Sequence, residues 1–253
     1  MTPEITPRTP GQISQSDANE HPPLASALAK DAPVTARSQG LSTVRVSALT
    51  DGVFAIVLTL LVLDLHAPSA SSQAQLLTNL REILPQLTLF VLSFAIVAVF
   101  WYGHHMEMHW IVRSDRVHLA ITLAFLLTIS FVPFSASLLG KNHELPLAAT
   151  VYGANLFLAG IVRYFHWAYA TQHHRLVVPG LDADFIRHVS RVFIVVPMLY
   201  LIASALAWLS TIAAIVAFAL IPLLYVRPSR NTRHLTSLRP LQPPFVPGEE
   251  AGG

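Results

Sequence analysis

Long apolar runs separated by short polar stretches set the pattern of this chain. A helix that crosses a bilayer needs about 20 mostly apolar residues. Six stretches meet that description, at 46–65, 83–103, 117–139, 146–170, 186–208 and 210–226. The sixth is short, carries Pro222, and follows the fifth after almost no loop. Pro133 and Pro197 fall inside spans, where neighbouring helices can satisfy the carbonyls that a proline frees. Trp101, Trp110, Trp167 and Trp208 all lie near predicted span ends, where an interfacial belt places them. The pattern predicts an all-α membrane protein with six transmembrane helices.

Composition agrees. The chain is 53% hydrophobic and 12% charged, with a mean hydropathy of +0.53, whereas a soluble domain carries about 25% charged residues. It has no cysteine, which excludes a disulfide framework, a thiolate metal site and a cysteine nucleophile. Residues 1–43 and 227–253 lack an apolar period and are rich in Pro and small polar residues. They read as disordered tails flanking a channel-sized membrane domain at 44–226. The first lacks the apolar core of a signal peptide and is expected to be a tail rather than a cleaved leader.

Lysine and arginine sort the loops. Lys30, Arg37 and Arg45 precede span one, and Arg81 alone follows it. Arg113 and Arg116 lie between spans two and three, and Lys141 alone in the next loop. Arg175 precedes span five and Arg187 and Arg191 lie in its first turns, the fifth-to-sixth turn has none, and Arg227, Arg230, Arg233 and Arg239 follow span six. The alternation predicts that both termini are cytoplasmic. The basic tail residues are expected to fix topology and touch anionic lipid rather than nucleic acid.

The first span raises a sharper question. Between Asp51 and Asp64 lie twelve residues whose only polar side chain is Thr59. At 100° per residue, Ile56, Thr59, Leu60 and Leu63 share one stripe of a helix. Such a stripe either packs on other spans, with Thr59 bonding back to the carbonyl of Ala55, or it faces something else.

The residues before the stripe, "RVSALTDGVFAI", resemble the N-terminal signature of the transmembrane-protein-175 family of endolysosomal and prokaryotic potassium channels. The family pattern runs Arg, three residues, Phe-Ser-Asp, commonly Gly, then an apolar helix. Arg45, Asp51 and Gly52 match it; Leu49 replaces the usual Phe, and Thr50 replaces Ser but keeps a hydroxyl. The resemblance continues through "FWYGHH", "RSDR" and "LLTISFVPFSASLLG". It implies six-span subunits assembled as homotetramers in the cell membrane, a bacterial inner membrane, with the first helix lining a central pore. Carried over by position, it sets Ile56 at the main apolar constriction, Thr59 at a polar ring and Leu63 at a second apolar ring, with Leu60 bordering the same stripe.

Physics gives that stripe a task. A narrow throat of isoleucines sheds its water and gates by dewetting, while threonine hydroxyls replace part of an ion's hydration shell. The resemblance implies that the permeant ion is potassium, passing without a cofactor. No "TVGYG"-like segment is present, so selectivity cannot come from a carbonyl cage of that kind. Asp64 at the outer end is either one of a ring of carboxylates that concentrates cations or a solvated helix-end residue. At the cytoplasmic edge, Arg45, Asp51, His104 and His105 are expected to form a network stapling span one to span two.

Three alternatives stand beside the potassium channel. A narrow throat with Thr59 could carry a water wire and conduct protons. A secondary transporter needs a midplane site with broken helices, to which only the proline-bearing spans point. A histidine-box metalloenzyme could use "HHMEMH", with His104, His105, Glu107 and His109, and "QHHR", with His173 and His174. No phosphate loop or nucleophile elbow is present.

Overall fold

The computed structural model describes residues 42–223; the predicted tails fall almost wholly outside them. Among the described residues, five helices are long and apolar enough to cross a membrane: Thr43–Asp64, Leu84–Met108, Arg116–Lys141, Pro146–His174 and Ala183–Leu206. Each coincides with one of the first five predicted spans.

Helix α1 (Thr43–Leu60) runs into a 3₁₀ turn at Leu61–Asp64. A short helix that hydropathy did not predict, α2 (Gln73–Glu82), follows in the loop. Ser72 starts it by accepting from the backbone N–H of Gln75 at 3.2 Å, which satisfies one of the orphan donors of a helix N-terminus. Helix α3 (Leu84–Met108) extends past the expected end of span two through "GHHMEM". That polar extension stays helical because His104 and Glu107 are buried on its inner face.

Span three is two helices, α4 (Arg116–Ser130) and α5 (Val132–Lys141). The break falls at Phe131, just before Pro133 in the first turn of α5. Proline has no N–H to continue the ladder and suits a first turn. Helix α6 (Pro146–Thr171) opens on proline for the same reason. Helix α7 (Ala183–Leu206) keeps Pro197 in its interior, and α6 presents Gly160 to it: a Cβ there would come within 2.5 Å of the proline ring.

Of the predicted sixth span, 224–226 lie outside the described residues; the part within them holds α8 (Thr211–Leu220), a helix of 10 residues capped by Ser210. At 1.5 Å per residue it is about 15 Å long, half of a hydrocarbon core. The described residues therefore contain five full-length spans and one short apolar helix.

Helix α6 forms the centre. Ala149, Tyr152, Leu156 and Ala159 are fully buried along it, and they join one core with Phe54 of α1, Ile96 of α3, Ile129 of α4, Leu139 of α5, Tyr200 of α7 and Phe218 of α8. Two polar contacts stitch that core: Ser93 with Tyr152 at 3.0 Å and Asn155 to Ser135 at 3.2 Å. At one end of the bundle, the α3–α4 and α6–α7 connections are zipped together. The N–H of Val112 donates to the carbonyl of Leu176, and that of Val178 to the carbonyl of Trp110.

Candidate functional site

Helix α1 has two unlike faces. Val46, Thr50, Phe54, Val57 and Leu61 are buried, a stripe at steps of four, four, three and four that packs against the chain's own helices. The opposite stripe has no such partner. Ile56 is 59% exposed, Leu60 41% and Leu63 69%, and Thr59 between them is also exposed. The four residues singled out as pore-lining thus share the face that α1 turns away from the rest of the chain.

Thr59 does bond back to the backbone, but to the carbonyl of Ile56 at 2.8 Å rather than that of Ala55. Its hydrogen is used there, and the oxygen keeps acceptor capacity on the exposed face. Thr50 in the signature is buried and donates to the carbonyl of Val46 at 3.0 Å. Leu49 and Gly52 are exposed. A Cβ at Gly52 would meet nothing within 4 Å, so packing inside this chain does not require glycine there.

The expected staple between α1 and α3 exists with a different partner. The indole N–H of Trp101 donates to Asp51 at 2.8 Å, and the Trp101 ring lies 5.6 Å from that of His105. Arg45 is exposed. His104 does not join Asp51: it is buried, stacked on Phe125 at 5.6 Å and 9°. One turn separates Trp101 from His105 on the outer side of α3, whereas His104 is rotated inward onto α4.

Asp64, expected at the outer mouth, is ion-paired. The Lys141 ammonium at the end of α5 donates to its carboxylate at 2.8 Å. Both side chains remain partly exposed, so the pair sits at the rim of the bundle.

The sequence reading missed a buried charged network at the opposite end. Glu107 of α3 accepts from Arg163 Nε of α6 at 3.3 Å with one oxygen, and its other oxygen lies 2.7 Å from His166 Nδ1. His166 Nε2 lies 3.2 Å from the Thr122 hydroxyl on α4. The His118 ring lies 4.1 Å from that of His166, and His118 Nδ1 lies 3.0 Å from the Ser114 hydroxyl. All these side chains are buried. Gly103 makes room for the guanidinium, since a Cβ there would come within 2.5 Å of it. A charged residue inside a span pairs or faces a cavity. Arg163 within span four is therefore the residue in the sequence that points to this network.

The proposed histidine box does not assemble. His104 is buried while His105 and His109 are exposed, and among the described residues no three side chains of metal-ligating type are gathered to hold an ion.

Outside these spans, Asp115 caps α4. It accepts from the backbone N–H of His118 and from the Tyr169 hydroxyl, each at 2.8 Å. Burial opposes ionisation of Asp115, but these two donors outweigh it and hold the carboxyl below its ordinary range.

Residues 45–133, from the signature through the break in span three, match the family model described as the endosomal/lysosomal potassium channel TMEM175. The chain is 33% identical to a potassium channel of Chamaesiphon minutus over 66% of its own length and 85% of that protein. It is 29% identical to a potassium channel of Streptomyces collinus over 72% of its length and 90% of that protein. A TMEM175 proton channel of Gallus gallus is 29% identical, over 54% of this chain and 30% of that protein. The crystal structure of a lysosomal potassium-selective channel TMEM175 homolog from Chamaesiphon minutus superposes with a TM-score of 0.65 at 27% identity, covering 73% of this chain and 96% of that one. This chain belongs to the TMEM175 family of ion channels.

Proposed function

We propose that the chain is one subunit of a homotetrameric, potassium-favouring cation channel whose pore wall is the exposed face of α1. In this reading it has six membrane helices, α8 belonging to the last, and sits in a bacterial inner membrane with both termini cytoplasmic. The carrying observation is the unpartnered stripe of Ile56, Thr59, Leu60 and Leu63. It is supported by the potassium channels among the relatives that the chain spans for most of their length.

The proposed mechanism is passive. Four Ile56 side chains around an axis form a dry throat, which water leaves and an ion crosses only when the throat widens. Four Thr59 hydroxyls one turn further on replace part of the hydration shell of potassium. Leu63 forms a second apolar ring, and the Asp64–Lys141 pair lies at the mouth. The ion is the transported substrate, and no cofactor takes part.

A second reading, proton conduction through the same pore, draws on the proton channels among the vertebrate relatives. Liposomes holding the purified protein separate the two. Potassium-driven flux that exceeds proton-only flux, and that rises in Ile56→Asn as a polar throat stays wet, supports the first reading. Flux carried by protons alone contradicts it.

A further inference from the structure

Three imidazole rings meet inside the bundle, and the proposed pore makes no use of them. His166 of α6 lies 4.1 Å from His118 of α4 and 5.4 Å from His104 of α3, ring centre to ring centre. All three are buried, but their nitrogens meet different things. His104 and His118 each leave Nε2 without a hydrogen-bond partner among the described residues. His166 has an oxygen at both nitrogens, Glu107 at 2.7 Å from Nδ1 and Thr122 at 3.2 Å from Nε2.

The hydrogens at His166 can be counted. The Thr122 hydroxyl carries one, and it donates to the His118 carbonyl at 2.8 Å, an oxygen that can only accept. None is left to give to His166, so the contact between Nε2 and Thr122 is a bond only if Nε2 carries a hydrogen. At Nδ1 the partner is Glu107, whose other oxygen accepts from Arg163 Nε at 3.3 Å, the arrangement of a carboxylate with a guanidinium. An ionised carboxylate accepts and does not donate, so Nδ1 carries a hydrogen too. A ring with both hydrogens is an imidazolium.

The surroundings suit one such charge. Among the described residues, Glu107 and His104 face the site from α3 and His118 from α4, with Asp115 capping α4 beside it, and Arg163 lies one turn away on α6. Helix α7 turns Phe193 to the guanidinium at 4.2 Å, while its Arg187, His188 and Arg191 are exposed. A second imidazolium at His118 would set like charges against each other 4.1 Å apart.

We propose that His166 is a proton-binding site of this chain and that the Thr122 hydroxyl is its switch. The form described here holds the proton. When the proton leaves Nε2 for the aqueous phase, that nitrogen becomes an acceptor, and Thr122 can serve it only by releasing the His118 carbonyl. The loaded form thus keeps one hydrogen bond more than the empty one, and its proton ties α4 to α6.

The test is nitrogen NMR of the full-length protein labelled with ¹⁵N-histidine, the His166 signals being those lost in His166→Gln. At pH 6 wild type should show two protonated nitrogens on His166. In Thr122→Val, which removes the acceptor at Nε2, the unprotonated-nitrogen signal should appear about one pH unit lower than in wild type, a roughly tenfold weaker hold on the proton. An unprotonated nitrogen on His166 in wild type at pH 6 overturns the proposal. So does a Thr122→Val titration that coincides with that of wild type. If His166→Gln fails to fold, the histidine whose signals move in Thr122→Val identifies the ring, and a spectrum in which none moves overturns the proposal.

Discussion

Trp101 and Asp51 stand fifty positions apart and meet at 2.8 Å, the indole of α3 donating to the carboxylate at the start of the first span. The contact fixes the rotation of α1 about its own axis. With Asp51 held on α3, Phe54 and Val57 turn into the core and Ile56 and Leu63 turn out. The signature aspartate, in this account, orients the pore helix rather than meeting the ion.

Trp101→Phe keeps the ring and removes the donor. The pair is partly exposed, so its loss should cost about 1 kcal/mol, or roughly 2–4 °C in melting temperature for a chain of this size. Gating should change while the reversal potential under a potassium/sodium gradient holds. A shifted reversal potential would place Asp51 in the ion's path instead.

Thr59→Val replaces a hydroxyl by a methyl at nearly constant shape. The Thr59 hydrogen is spent on the Ile56 carbonyl, so an ion would meet the oxygen lone pairs. Potassium preference over sodium should fall several-fold, read as a shift in reversal potential. Unaltered preference argues that Thr59 only completes its own helix.

Glu107 and Arg163 form a pair with both side chains almost fully buried. Removing one partner strands a charge and typically costs about 3–5 kcal/mol. Arg163→Met and Glu107→Gln should each lower thermal stability strongly, and Arg163→Met with Glu107→Leu should recover much of the loss. Additive losses in the double variant, measured by thermal unfolding in detergent, would contradict a mutual pairing.

Asp115→Ala removes the cap of α4, which should cost about 0.5–2 kcal/mol near neutral pH. Because the carboxyl of Asp115 is held below its ordinary value, the folded state binds the proton less readily than the unfolded chain. Its stabilisation is present above the unfolded pKa, near 4, and is lost as pH falls through the lower folded value. The stability gap between wild type and Asp115→Ala should therefore shrink at pH 3. A gap that stays constant would mean the carboxylate charge is irrelevant.

Hydropathy made the first five spans legible, because a run of twenty apolar residues has few other uses. Which way α1 faces was legible only through the family resemblance, since the helical spacing of Ile56, Thr59, Leu60 and Leu63 left open whether they pack on other spans. Partners across helices were not. Trp101 read as an interfacial anchor, yet it holds Asp51; His104 read as part of that staple, yet it packs on Phe125. These depend on how α3 is turned against α1 and α4, which a one-dimensional pattern does not encode. The Ser72 cap that starts α2 was visible only as one hydroxyl in a polar loop. Ser210 caps the start of α8, and Pro222, which marked the sixth stretch as short in the sequence, lies just past its end.

Because the chain has no cysteine, a single introduced thiol reports without interference. The most direct test of the pore assignment is potassium flux through Ile56→Cys in liposomes, before and after a thiol-specific cationic reagent, beside Val57→Cys, whose position is buried against the chain's own helices. The account predicts that the reagent blocks flux through Ile56→Cys and spares Val57→Cys. Flux through Ile56→Cys that continues undiminished after its thiol has fully reacted would contradict it.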